Sequence, residues 1–311
     1  MNKKCVVIGD LNIDLILSDL KDFPEMGREI IARKYYLDIG GSGGIFSAAL
    51  SGLGIETYII SKIGDDFFGK FLVKKLKSFG GNTDYLIIKD NSDTGITINL
   101  SYEKDKFQIS SLELISGLEA KEISLEHLKN AGHVHFTSYY VMGNLKKSYV
   151  KLIDYIREKN KNITISIDTN DDPENKWGDE IYRILEKVDI FFANEKEAIN
   201  ISKRNSAYDA LEKLSNHVET VIVKMGSMGY IAKVKGQYYR GKPQKVAYRD
   251  STGAGDNFNA GYIFGLINDF NVERCLNIAN ICGGIATQYL GGAGNHNKFE
   301  EIKKRIKNQG G

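Results

Sequence analysis

Cysteine, proline and an excess of one charge are all scarce in this chain. Its three cysteines, Cys5, Cys275 and Cys282, are odd in number and far from C-x-x-C spacing. That excludes a disulfide-built scaffold and a paired-thiol motif, and predicts buried thiols in a reducing compartment. With three prolines in 311 residues there is no Pro/Ser-rich linker, and no internal repeat divides the chain. The 42 basic and 40 acidic residues nearly cancel to a net charge of +2. The basic runs Lys74-Lys-Leu-Lys77 and Lys303-Lys-Arg-Ile-Lys307 lie in helix-like patterns and read as solvated faces, not as a nucleic-acid footprint. No stretch of eighteen apolar residues occurs, and the N-terminus leads into a strand pattern without a signal peptide. The sequence therefore predicts a cytosolic protein with neither nucleic acid nor membrane as partner.

What the chain has is apolar mass and glycine. Apolar residues make up 42%, enough for a large core and incompatible with a disordered chain. Short β-branched or aromatic runs stand at 6–8, 58–63, 134–136, 164–168, 190–193 and 221–224, with amphipathic segments near 66–79, 146–159, 178–187 and 206–217 between most of them. Such alternation predicts an α/β fold, a mostly parallel sheet covered by helices on both faces. The rhythm breaks at 15–39 and 94–112, where alternating residues read as antiparallel strands or hairpins outside the main sheet. His133 and His135 share one face of a strand-like run with no third ligand nearby, and read as a structural pair.

The most informative stretch is Asp250-Ser-Thr-Gly-Ala-Gly-Asp256, running into the apolar helix pattern Asn257-Phe-Asn-Ala-Gly-Tyr-Ile-Phe-Gly-Leu266. Small residues free backbone N–H groups, and the positive end of a helix adds to them, which makes a site for phosphate oxygens. An aspartate there carries negative charge where anions should bind. Asp256 therefore reads as a base for an attacking hydroxyl, with Gly253, Ala254 and Gly255 as the anion hole. That chemistry is phosphoryl transfer to an alcohol; the plainer alternative is a helix start with Asp in its first turn. Gly261 and Gly265 lie four apart inside the helix, where each glycine costs about 1 kcal/mol relative to alanine. Either the nucleotide or a neighbouring helix must approach closely there.

Other segments point the same way. Gly9-Asp-Leu-Asn12-Ile-Asp14 follows Cys5-Val-Val-Ile8, which sets two acids and an amide at the C-terminal end of a first strand, where open α/β sheets bind ligands. Gly40-Gly-Ser-Gly-Gly44 opens a second small-residue helix, and Lys62-Ile-Gly-Asp-Asp66-Phe-Phe-Gly69 marks a strand end and a new helix. With Asn194-Glu-Lys-Glu197, Lys224-Met-Gly-Ser-Met-Gly229 and the late turn, these segments resemble in order the signature regions of the ribokinase-like carbohydrate kinases, the PfkB family.

The resemblance implies a single ribokinase-like kinase domain over 1–311: a three-layer sandwich with a small β lid, formed by insertions at about 11–39 and 92–112, that often provides a homodimer contact. It implies ATP as donor, with Mg2+ riding on the triphosphate and met by Asn194 and Glu197 largely through water. Asn194, Lys224, Gly226, Ser227, Gly229 and Asn280 become nucleotide contacts. Asn12, Asp14, Gly40, Gly41, Ser42, Ile45, Tyr139, Asp168 and Asn170 become the substrate side, with Asp14 foremost for sugar hydroxyls. Asp250 and Thr252, with the later Leu290-Gly-Gly-Ala-Gly294, resemble the potassium turn of many relatives, which implies a K+ ion ordering the anion hole.

Two departures bear on substrate. Ile45 stands where ribokinases and fructokinases have an asparagine. Asp172 stands where the fructokinase and 2-keto-3-deoxygluconate kinase branches have an arginine, so a carboxylate substrate would lose its bidentate partner and meet repulsion. The expectation is an ATP-dependent kinase acting on a hydroxymethyl group of a small neutral sugar. A nucleoside kinase, suited by Ile45 and the tyrosines at 139 and 140, and a non-catalytic sugar or nucleotide sensor are the alternatives. A sensor has no need of the base.

Overall fold

Alternating β-branched runs and amphipathic helices fold into one large sheet between two helical layers, in a computed structural model that describes residues 3–18, 20, 22, 24–101 and 106–308. The strands are β1 (Lys4–Ile8), β2 (Asn12–Ser18), β3 (Lys34–Gly40), β4 (Glu56–Ile60), β5 (Lys62–Gly64), β6 (Ile87–Lys89), β7 (Ile96–Ser101), β8 (Lys106–Ser111), β9 (His133–Thr137), β10 (Thr164–Asp168), β11 (Ile190–Asn194), β12 (Thr220–Lys224), β13 (Tyr230–Val234) and β14 (Gln237–Gly241). The helices are α1 (Ser42–Gly52), α2 (Phe67–Ser78), α3 (Glu113–Ser116), α4 (Glu126–Lys129), α5 (Tyr149–Lys159), α6 (Ile181–Leu185), α7 (Glu195–Ser202), α8 (Ala207–Leu214), α9 (Ala254–Ile267), α10 (Val272–Ala286) and α11 (His296–Asn308).

The main sheet runs β14-β13-β12-β11-β10-β9-β1-β4. From β4 to β12 its strands are parallel, and β13 and β14 close one end antiparallel. Strands covered on both faces are apolar throughout, because successive side chains enter opposite cores. Val6 and Ile8 pack with Val134, Phe136 and Ile167 beneath α5–α8. Cys5 and Val7 pack with Ile59, Phe192 and Ile222 beneath α1, α2 and α9–α11. These are the three layers expected. The expected run at 58–63 divides into β4 and β5, the expected helix at 178–187 shortens to α6, and the β13–β14 edge has no forecast in the helix–strand alternation.

The stretches that break the rhythm build a separate four-stranded sheet, β3-β2-β7-β8. Pairs β2–β3 and β7–β8 are antiparallel, but β2 and β7 pair in parallel, since they come from different insertions and share no hairpin. Residues 19, 21, 23 and 102–105 of those insertions lie outside the described residues.

Gly261 and Gly265 serve helix packing. A Cβ on Gly261 would lie 2.9 Å from Ala279 Cα, and one on Gly265 2.9 Å from Cys275 Cα, so α9 and α10 approach backbone to backbone. Gly265→Ala should destabilise the fold by about 1–3 kcal/mol through overpacking and leave turnover per folded molecule unchanged. Denaturant midpoints beside specific activity measure both; an unmoved midpoint would mean the helices part freely.

The histidine pair is held by hydroxyls: His133 bonds Thr164 Oγ1 and Ser166 Oγ, each at 2.7 Å, and His135 bonds Ser166 Oγ at 2.6 Å. Burial takes His133 well below its ordinary value and His135 down to about 3, so both rings are neutral. Burial likewise pushes the Cys275 and Cys282 thiols up to about 12. Among the described residues no helix is long and apolar enough to cross a membrane.

Candidate active site

The C-terminal ends of the parallel strands open into a cavity of about 1010 Å³, with the small sheet contributing Asn12, Asp14, Thr97, Gln108 and Ser110 to its lining. Gly253, at the start of α9, has a φ of 69°, and a Cβ there would lie 2.5 Å from Gly292 Cα. Only glycine turns the chain at that point. The turn delivers Asp256 into the first turn of α9, 8% exposed and facing the cavity. Burial first, then Asp168, push its carboxyl up to about 7, with Asp10 adding to the rise and Lys224 opposing it. The Ser42 hydroxyl bonds the same carboxylate, so the two glycine-rich turns of the sequence meet at this acid. A carboxyl that exchanges its proton near neutrality has the basicity a general base needs.

Of the three expected anion-hole residues, Ala254 donates its N–H to the Ser251 carbonyl at 3.2 Å and closes the turn. Gly253 and Gly255 line the cavity with no backbone acceptor for their N–H among the described residues. A Cβ on Gly255 would stand 3.1 Å from Lys224 Nζ, which places that ammonium beside the turn. Lys224 donates to Asp168 Oδ2 at 2.6 Å, and Asn259 Nδ2 donates to the same oxygen at 2.6 Å. Burial works against the Lys224 charge, but Asp168, Glu197 and Asp256 hold its ammonium above the ordinary value. Asp168, expected on the substrate side, is corrected: at 1% exposed it lies behind Lys224 and anchors it. Asn170 does line the cavity, with its Nδ2 donating to Ser138 Oγ at 3.1 Å.

Asn194 and Glu197 cap α7 and line the cavity at once. Glu197 N–H donates to Asn194 Oδ1 at 2.9 Å, while Asn194 N and Nδ2 donate to the two Glu197 oxygens at 2.8 and 2.6 Å. Burial, then Asp168, push the Glu197 carboxyl up to about 8, against Lys224 and the Asn194 amide. The plain helix-cap reading and the cavity-facing reading therefore hold together. Gly226, Ser227, Gly229 and Asn280 line the same cavity; Asn280 Nδ2 donates to the Lys242 carbonyl at 2.8 Å, and a Cβ on Gly229 would strike the Gly241 carbonyl oxygen at 1.9 Å.

On the acceptor side, β1 ends at Ile8, so Asn12 and Asp14 belong to β2 of the small sheet, a correction to their expected place at the end of the first strand. Asn12 Nδ2 donates to Thr97 Oγ1 at 3.0 Å. Gly41, Ser42 and Ile45 line the cavity, while Gly40 lies under Asp14, whose Oδ1 would stand 2.3 Å from a Cβ there. Tyr139 is corrected too: it is 6% exposed and packs edge-on against Tyr140 and Tyr149, as a core aromatic outside the cavity wall. Asp172 does not face a ligand. Its carboxylate accepts N–H bonds from Glu174, Lys176 and Trp177 at 3.0, 2.8 and 2.8 Å and organises its own loop; neighbouring Asp171 lines the cavity instead. Sequence reasoning counted Asp10 among the strand-end acids without giving it a role; its Oδ1 accepts from Gly43 N, Thr137 Oγ1 and Ser138 Oγ at 3.0, 3.2 and 2.7 Å. Its signal was present in Gly9-Asp-Leu-Asn12.

The residues expected at a K+ ion are bonded within the chain. Asp250 Oδ1 accepts from Thr252 N and Oγ1 at 2.9 and 2.8 Å, and its Oδ2 from Gly291 N at 2.9 Å. The neighbouring Gly292 carbonyl already accepts from Asn257 Nδ2 and Lys298 Nζ, both at 3.0 Å. Lys298, missed in the sequence reading, is 0% exposed; burial draws its ammonium down to about 7, against Asp38.

A buried carboxyl, a glycine turn at a helix start and a neighbouring ammonium meet at the C-terminal ends of a parallel sheet, an arrangement suited to phosphoryl transfer. Residues 2–298 match the profile of the pfkB family carbohydrate kinases, and the chain belongs to that family; it is a sugar or nucleoside kinase. Over 282 residues it is 28% identical to the ATP-dependent ribose-1-phosphate kinase of Halopiger xanaduensis, covering 89% of each chain. Its fold matches that of Arabidopsis thaliana ribokinase, solved with ribose and ATP, at a TM-score of 0.82 and 21% identity, over 98% of this chain and 99% of that one. It matches the adenosine kinase of Sinorhizobium meliloti at 0.86 and 18%, over 98% and 100%.

Proposed function

We propose that this chain transfers the γ-phosphoryl group of ATP to a hydroxymethyl group of a small neutral sugar, with Asp256 as base. The observation that carries this is Asp256 itself, a buried acid held near neutrality within reach of Ser42 and Lys224. The carboxylate takes the hydroxyl proton as the oxygen attacks. The Gly253 and Gly255 amides and the Lys224 ammonium receive the charge that grows on the phosphoryl oxygens. Asp168 and Asn259 hold that ammonium in place. Asn194 and Glu197 supply hard oxygens on the cavity wall, already engaged with each other, which suits an ion met through its own water. Bound Mg2+ would neutralise triphosphate charge there. The small sheet acts as the lid that excludes water, and its exposed Tyr35 and Ile109 support pairing of two lids.

Neutrality of the acceptor rests on the lining. Asp10 and Asp14 face the cavity, Asp171 does so while paired with Lys196, and no arginine lines the cavity among the described residues. This replaces Asp172 as the argument against an anionic substrate. Like charge in a closed site costs several kcal/mol, so neutral hydroxymethyl sugars should exceed ribose 1-phosphate, fructose 6-phosphate and 2-keto-3-deoxygluconate by about a hundredfold or more in kcat/KM. An ATP-coupled panel decides. A phosphorylated sugar or ketoacid as best acceptor would overturn the neutral class, and a nucleoside ahead of every free sugar would select the larger, apolar acceptor that Ile45 also suits.

A further inference from the structure

Lys298 is fully buried, and both hydrogen bonds of its side-chain nitrogen lead to the catalytic turn. Its Nζ donates to Asn257 Oδ1 and to the Gly292 carbonyl, each at 3.0 Å. Asn257 passes the contact on, its Nδ2 donating to the carbonyls of Gly253 and Gly292 at 2.7 and 3.0 Å. From the other side Asp250 accepts the Gly291 N–H at 2.9 Å, and Asp38, within β3, accepts the Gly294 N–H at 3.0 Å. The 291–294 loop is thus gripped by two carboxylates through its amides and by one lysine nitrogen through its carbonyl. Asp38 is itself paired with Lys75, and the Phe299 ring lies 4.5 Å from Lys298 Nζ. A carbonyl oxygen has two lone pairs, and both of Gly292's are taken.

We infer that Lys298 is a positioning residue whose side-chain nitrogen orders the anion-hole turn from within the chain, in the part the family resemblance assigns to a K+ ion, so that the enzyme needs no monovalent cation. The inference rests on the kinase reading for its effect on rate, but its structural half does not. The test compares the native protein with Lys298→Ala and Lys298→Arg in potassium, methylammonium and tetramethylammonium chloride at matched ionic strength, reading melting temperature, affinity for a non-hydrolysable ATP analogue, and turnover. The native protein should behave alike in all three salts. Lys298→Ala should lose about tenfold in nucleotide affinity, the worth of a hydrogen bond, and regain most of it with methylammonium or potassium but not with tetramethylammonium; Lys298→Arg should fall between. Stimulation of the native protein by potassium in affinity or melting overturns the inference, as does an alanine variant indifferent to every cation. If the alanine variant does not fold, the native arm and the arginine variant decide. Absent turnover with intact salt behaviour in melting and nucleotide binding would count against the kinase reading alone.

Discussion

Asp256→Asn should lower kcat by about a hundred- to ten-thousand-fold, the usual worth of a positioned base, while ATP affinity stays close to native. The same substitution should make the protein more stable at alkaline pH. The native carboxyl is raised from 3.8 to about 7, so above pH 4 the unfolded chain gives up this proton more readily than the folded one. Stability therefore falls as pH rises from about 4 to about 7 and stays reduced beyond. At about 1.4 kcal/mol per unit, the raised value from 3.8 to about 7 costs the native fold on the order of 4 kcal/mol at pH 8. An amide of the same shape carries no such charge, so the variant should melt several degrees higher at pH 8 and lose that advantage near pH 4. In the native enzyme kcat/KM should climb with pH and level off above about 7. Near-native turnover of the asparagine variant on the best substrate would remove Asp256 from the base's role, whatever the melting curves show.

The layers of the fold were legible because both cores follow from simple periodicity. Strands covered on two faces leave continuous apolar runs, and the helices between them carry one apolar stripe each. What escaped were features set by contacts distant in sequence. The parallel β2–β7 pairing joins two insertions, and nothing local to either announces its partner. Within the site, glycine told the truth: the turns at 40–44 and 250–256 do converge, since the residue that alone tolerates a φ of 69° and a backbone 2.5 Å away marks where chains must meet. Carboxylates and aromatics were harder, because their roles depend on what faces them. Asp168, Asp171 and Asp172 lie within five residues of one strand end, yet one anchors a lysine, one faces the cavity and one caps its own loop. Asn257 and Asn259 stand as polar interruptions in the otherwise apolar α9 pattern, and that was the available sign of a buried polar network now seen to reach Lys298 and Lys224.

Lys224→Met is expected to have the second-largest effect, and its signature is a pH shift of known sign. Lys224 stands among Asp168, Glu197 and Asp256, so its removal leaves buried acids without their cation, a loss that destabilises by about 3–5 kcal/mol. It also strips one donor from the growing phosphoryl charge, which lowers kcat by about a hundred- to a thousand-fold. Because Lys224 pulls the Asp256 carboxyl down, the pH at which kcat/KM levels off must move upward in the variant. Asp168→Asn tests the same network from the opposite side. Asp168 pushes Asp256 up, so its neutralisation should move the levelling pH downward, even though the variant also loosens the lysine's anchor. A lysine and an aspartate that merely held the fold together would depress activity at every pH and shift the profile in neither direction. Opposite displacements from two substitutions in contact require that both charges act on the acid at the head of α9.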